Sequence, residues 1–284
     1  MTGRAKTILK LLVLICFVLA AQTLRWTVAW RAPRIIEIED VGLSEPSGIV
    51  FHAGRGTLFV VGDNGEISEI TTNGAVLQAR YIGSHDLEGI TFNPSTGLLY
   101  AAVEGWDTVL EVDPEGLKIR RHFILPRTFE GKTILKPVGQ GLESITFVPD
   151  AEHAEGGTFF VTNQGFADSD PEDASVLLRV ELPLRTGAGA AQQPTPRILS
   201  CVRMDVTDLS GAHWDRRKRR LILISDAENR LVQVDDDGKV LASAPLPGRD
   251  QEGITFDNAG RMYIAQDSGG VLKIRGRIRW RPAF

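Results

Sequence analysis

Asp86-Leu87-Glu88-Gly89-Ile90-Thr91-Phe92 reads as a short β-strand entered through an acidic residue and a glycine, and the pattern returns along the chain. Gly141-Leu142-Glu143-Ser144-Ile145-Thr146-Phe147 and Asp250-Gln251-Glu252-Gly253-Ile254-Thr255-Phe256 are close copies. Glu45-Pro46-Ser47-Gly48-Ile49-Val50-Phe51 and Asp208-Leu209-Ser210-Gly211-Ala212-His213-Trp214 are weaker ones. Counted at the small residue (Gly48, Gly89, Ser144, Gly211, Gly253), the intervals are 41, 55, 67 and 42 residues. A self-similar period of about forty residues, built only of short strands, marks a β-propeller in which each repeat is one blade. Five copies predict an all-β fold: a five-bladed β-propeller of four-stranded antiparallel blades over residues 33–284.

Each copy is followed by a turn, an apolar strand, a loop and another strand. In the second repeat these are Asn93 to Gly97, Leu98 to Val103 and Val109 to Val112. The turns carry Gly, Asn and Pro where hairpins need positive or preset φ. Arg34-Ile35-Ile36-Glu37-Ile38-Glu39 has no repeat of its own, so it is expected to pair beside Val271 to Ile274 and close the ring. The two long intervals hold insertions. Pro126 to Gln140 reads as a crossing segment, Gly165 to Asp173 as an acidic loop, and Thr186 to Pro196 as a low-complexity excursion.

Residues 1–32 read differently. Arg4, Lys6 and Lys10 precede the apolar run Leu11 to Ala21, a basic region followed by a hydrophobic one, which directs export. Two outcomes fit. Ile8 to Leu24, with Trp26, Trp30, Arg25 and Arg31 as an interfacial belt, suits an uncleaved helix that anchors the protein in the cell membrane by a single pass. Val18-Leu19-Ala20 suits cleavage and release as a secreted or periplasmic protein. Ile15 directly before Cys16 argues against a lipoprotein signal. In either case the propeller is expected on the exported, periplasmic side. Cys16 lies in the apolar run and Cys201 in the repeats, an arrangement that gives no disulfide framework. The net charge of −4, with both signs dispersed, offers no basic stripe for nucleic acid.

The motif carries the chemistry. In a propeller the first strand of each blade lines the axis, where blades crowd, so a glycine or serine suits the position after the acid. Glu88, Glu143 and Glu252 should then converge at one mouth of the channel, where partly desolvated carboxylates repel. The loop after the second strand adds Asp63, Glu104, Asn163 and Asp226 in the first four repeats. Carboxylate and amide oxygens without cysteines suit a hard cation, calcium (Ca2+) before magnesium. The competing reading pairs each glutamate with an adjacent backbone or an arginine. His85, next to the second motif, and His213, within the fourth, are the candidates for a general base. Arg216-Arg217-Lys218-Arg219-Arg220 falls on a hairpin turn, and so does Asp235-Asp236-Asp237-Gly238, which lacks the glutamate an EF-hand needs.

The ordered set DLEGITF (86–92), GLESITF (141–147), DLSGAHWD (208–215) and DQEGITF (250–256), with SDAENRLVQVDDDGKVL (225–241), resembles the SdiA-regulated family of NHL-related propellers. The resemblance spans approximately residues 35–275. It implies a five-bladed propeller behind an N-terminal membrane segment, with a calcium site and no established reaction. By it, Glu88, Glu143 and Glu252 are the matching acids, while Ser47 and Ser210 depart from the pattern. Those departures imply a site off the axis, weighted toward the second, third and fifth repeats.

Two functions are expected from this. One is a calcium-binding propeller that binds or senses a small molecule or an exported protein at the channel mouth. The other is a calcium-dependent hydrolase of lactones, esters or phosphoesters, as in more distant propellers, which is an analogy of fold only.

Overall fold

The computed structural model describes residues 32–135, 141–165, 174–185 and 194–283. Five sheets follow in chain order, one per motif copy. Their innermost strands are Pro46–His52, Leu87–Phe92, Leu142–Pro149, Gly211–Asp215 and Gln251–Phe256. Each sheet then runs antiparallel and outward, and burial falls along the way. Pro46–His52 is buried throughout, whereas Val76–Tyr81 at the outer edge of the same blade is largely exposed.

The second strands, such as Thr57–Gly62 and Arg220–Ser225, are unbroken apolar runs because both faces are covered. Instead of one core, the ring has five apolar clusters, one at each seam between neighbouring blades. The seam of blades two and three, for example, packs Tyr100 and Ala102 against Phe147 and Phe159.

The motif's small residue is required at these seams. A Cβ on Gly48 would sit 2.9 Å from the Cα of Gly89, and one on Gly89 would sit 2.9 Å from the Cα of Ser144. A Cβ on Gly253 would lie 2.5 Å from the nitrogen of Ile49. Ser144 has room for a side chain, and its hydroxyl bonds Thr162 at 2.6 Å; Thr162 in turn donates to the carbonyl of Leu209 in blade four.

Ring closure is as the sequence predicts. Arg34–Ile38 is the outermost strand of blade five, beside Val271–Arg275. The buried Lys273 then donates to the Thr72 carbonyl and to Asn73 Oδ1, joining blade five to blade one.

Two details differ from expectation. Within the Pro126–Gln140 crossing segment, Thr128–Phe129 and Lys132–Thr133 form a small hairpin, and Leu135 is fully buried in the seam of blades two and three. Blade four gains a fifth strand, Arg281–Pro282, paired to Ala242 and Ser243. That short strand has no periodicity to announce it; the outer edge of blade four was open and the C-terminal segment covers it. The hairpin readings of Arg216–Arg220 and Asp235–Gly238 hold, with Asp235 Oδ1 accepting from the backbone of Asp237 and Lys239. Residues 1–31 with their anchor or signal, and most of the acidic and low-complexity loops, lie outside the described residues.

Candidate metal centre at the acidic mouth

The motif glutamates are displayed by a local defect in the sheet. Pairing of the innermost strand slips between Pro46 and Gly48, Leu87 and Gly89, Leu142 and Ile145, and Gln251 and Ile254. The residues released from the ladder include Ser47, Glu88, Glu143 and Glu252. A bulge of this kind re-aims a side chain and is common beside functional sites. Blade four, which has Ser210 there, pairs from Gly211 without a slip.

The loop acids are brought alongside by backbone bonds. The N–H groups of Glu104, Asp226 and Asp267 donate to the carbonyls of Asp86, Asp208 and Asp250, at 2.9, 3.3 and 2.9 Å. Glu104 and Asp226 also reach the following blade. Glu104 Oε1 accepts from Gly141 N–H at 3.2 Å, and Asp226 Oδ1 from Gln251 N–H at 2.7 Å. Asp63 accepts from the Ser47 hydroxyl in its own blade.

Carboxyl oxygens of Asp63, Asp86 and Glu88 lie within 4.8 Å of one another, joining blades one and two. Burial first, then Glu143 and Asp63, pushes Glu88 well above the usual carboxylate range. Burial and Glu104 do the same to Glu143, with which Glu104 shares a hydrogen bond. Burial, followed by Asp226 and Asp208, raises Glu252 to about 9. Asp63 is pushed up to about 6, mainly by burial. The neighbours acting most strongly on the three glutamates are all carboxylates.

This donor set fits a hard cation. Calcium takes six to eight oxygens at about 2.3–2.6 Å, and the three clustered carboxyls can contribute to one such shell. Burial of several acids with only acids around them is costly until protons or a cation compensate.

Not every sequence candidate is placed alike. Glu88 and Asp63 enter the three-carboxyl cluster; Glu143 and Glu252 act on Glu88, Glu104 acts on Glu143, and Asp226 acts on Glu252. The Asn163 amide has backbone partners: it accepts from Val176 N–H at 2.6 Å and donates toward the carbonyls of Ala174 and Ile134. His85 packs edge-on against Trp106. His213, midway along Gly211–Asp215, lies against Phe256 with ring centroids 5.0 Å apart. Asp86 and Asp208 were missed in the sequence reading. Their signal was present, since an acid precedes the Glu or Ser by two positions at 45, 86, 208 and 250. Glu45, Asp208 and Asp250 adopt positive φ of 48°, 54° and 53°, a region where aspartate is tolerated better than most side chains.

Sequence comparison agrees with the propeller fold. The model of the phytase-like family, described as esterase-like activity of phytase, matches residues 41–195, more than half of the chain. The chain belongs to the phytase-like family. The model of the SdiA-regulated family matches residues 177–269, so that resemblance also holds, over the later blades. No curated protein matches the sequence. Among solved structures, the glutaminyl cyclase of Myxococcus xanthus aligns with a TM-score of 0.61 at 13% identity, covering 89% of this chain and 97% of that one. A protein described as a gluconolactonase aligns with a TM-score of 0.52 at 14% identity, covering 88% and 95%. At such identity these likenesses speak for the fold of this phytase-like propeller and nothing finer.

Proposed function

We propose that this chain is an exported, membrane-anchored calcium-binding propeller whose acidic mouth receives a small molecule or an exported partner through the bound ion. The observation carrying this reading is the Asp63–Asp86–Glu88 cluster, with Glu143 and Glu252 acting on Glu88. Glu88 and Glu143 sit at bulges, where ladder hydrogen bonding is relinquished for the sake of side-chain direction. Calcium suits an exported protein, for which a weak site on the order of 10⁻⁴ M is sufficient. Residues 1–32 supply the export signal and the anchor. Calcium titration calorimetry on the propeller tests the reading. One ion per chain with magnesium a poor competitor supports it, and absence of calcium heat at millimolar concentrations removes it.

A second reading is favoured by the family match: calcium-dependent hydrolysis of an ester or phosphoester. The bound ion would supply Lewis-acid polarisation of the substrate oxygen. Glu104 and Glu143, which share a hydrogen bond, would be the pair able to hold and pass a proton beside it. Assay of aryl phosphate, aryl ester and lactone substrates with and without calcium separates the two readings. Calcium-dependent turnover that vanishes in Glu143→Gln selects the hydrolase.

A further inference from the structure

The innermost strands carry the acids at one end, and four residues later, about 13 Å away at strand rise, they end in a second concavity. This cavity of about 640 Å³ is walled by Phe51, Phe92, Trp214, Phe256 and Trp280. Its volume and apolar lining are those of a small-molecule site.

Two features are unexplained by packing. The first is His213. Blades two, three and five have threonine at this position, and each threonine hydroxyl accepts a backbone N–H from the next blade. His213 makes no hydrogen bond to any described residue and lines the cavity. Blade four therefore gives up a seam bond and presents an imidazole instead. Burial holds that imidazole neutral, pushing it down to about 4. The half-buried imidazole thus lines the cavity with its ring nitrogens open to a ligand.

The second is the rim. Arg216, Arg217 and Lys218 come from the blade-four hairpin, and Arg277 from the C-terminal segment that the extra strand holds across blade four. The acids nearby are occupied: Asp215 pairs with Lys218 at 3.4 Å, and Asp257 with Arg261 at 2.5 Å and with the Tyr263 hydroxyl. Arg216, Arg217 and Arg277 have no acidic partner among the described residues. Three free guanidinium groups around an apolar funnel complement an anionic head on an apolar body. The acidic mouth would repel the same ligand.

We propose that this second mouth is a binding site for a small amphipathic organic anion, its apolar or aromatic body in the funnel against His213 and its carboxylate, phosphate or sulfonate at Arg216, Arg217 and Arg277. The site is separate from the calcium centre and does not depend on it.

The test uses the soluble propeller with anilinonaphthalene sulfonate as probe and uncharged phenylnaphthylamine as its neutral control. Saturable binding of one sulfonate per chain is expected, at least tenfold tighter than the neutral control, and displaced by decanoate. Arg217→Ala with Arg277→Ala should weaken it tenfold or more. His213→Thr, which restores the seam bond and should fold at least as well, should weaken it severalfold, while Glu88→Gln leaves it unchanged. Equal affinity for the neutral probe, or indifference to the paired arginine substitution, would overturn the proposal. Displacement by phosphatidylglycerol vesicles but not by decanoate would overturn it in favour of a membrane surface.

Discussion

The Thr255 hydroxyl accepts a hydrogen bond from the backbone N–H of Phe51 at 3.0 Å, across 204 residues of sequence and across the closing seam of the ring. The same bond joins Thr91 to Phe147 and Thr146 to Trp214, at 3.1 and 3.0 Å. The threonine of the motif is thus a connector between blades. Thr255→Val keeps the shape and leaves the Phe51 N–H without its partner. The expected loss is about 1–3 kcal/mol, read by denaturant unfolding. An unchanged midpoint would show that the seam does not need the bond.

Crowding at the small residue should cost more. Gly89→Ala places a Cβ against the backbone of Ser144 and Ile145, at 2.9 and 2.8 Å. Gly105→Ala meets nothing within 4 Å and bears only the strain of a φ of 70°. The first should destabilise by about 3 kcal/mol or more, and the second by about 1 kcal/mol. Thermal unfolding that ranks them in the opposite order contradicts the seam argument.

Closure by the N-terminal strand gives a third expectation. Removing residues 33–39 strips the outer strand from blade five and exposes the edge of Val271–Arg275. An unpaired edge promotes association. Light scattering should show aggregation on warming well below the melting temperature of the intact propeller. A truncated protein that stays monomeric and equally heat-stable argues against closure.

The raised carboxyls predict an uncommon pH dependence. Glu252 at about 9 and Asp63 at about 6 hold protons in the folded state that the unfolded chain, titrating at about 4, has already released. Their contribution is therefore fully present below about pH 4 and is lost as pH rises through 6 and then 9. In chelator, the melting temperature should fall between about pH 5 and 9. In calcium the fall should shrink or reverse, since ligands must lose protons to bind. A chelated protein that gains stability over this window contradicts the assignment.

Much of this was legible because period-two strands, turn residues and a repeated motif all report on the same geometry. The five copies set the blade number, and the orphan Arg34–Ile38 strand indicated closure. The acid–small–apolar order pointed to the crowded mouth. What was hidden depended on pairing in three dimensions. The slip that frees Glu88 is a property of two strands, so the repeated acid two positions earlier marked Asp86 as part of the motif without showing that it joins Glu88 and Asp63. Asn163 was chosen by its place in the repeat, yet the third blade's loop uses its amide for backbone bonds. The basic rim was hidden for a further reason: Arg216 and Arg277 lie 61 residues apart and line one cavity, Arg277 from the segment that Arg281–Pro282 pairs to the edge of blade four.

Calcium at the acidic mouth is the central claim, and melting of Glu88→Gln beside the wild type, each in calcium and in chelator, tests it most directly. Binding to the folded state alone should raise wild-type stability by about 2.7 kcal/mol at a hundred times the dissociation constant. Glu88→Gln should lose most of that response, yet in chelator it should melt as high as the chelated wild type or higher, because the cost of burying an ionisable group amid carboxylates, met by holding its proton, has been removed. A wild type indifferent to calcium, with Glu88→Gln melting lower in chelator, would make the glutamate an ordinary structural residue and contradict the account.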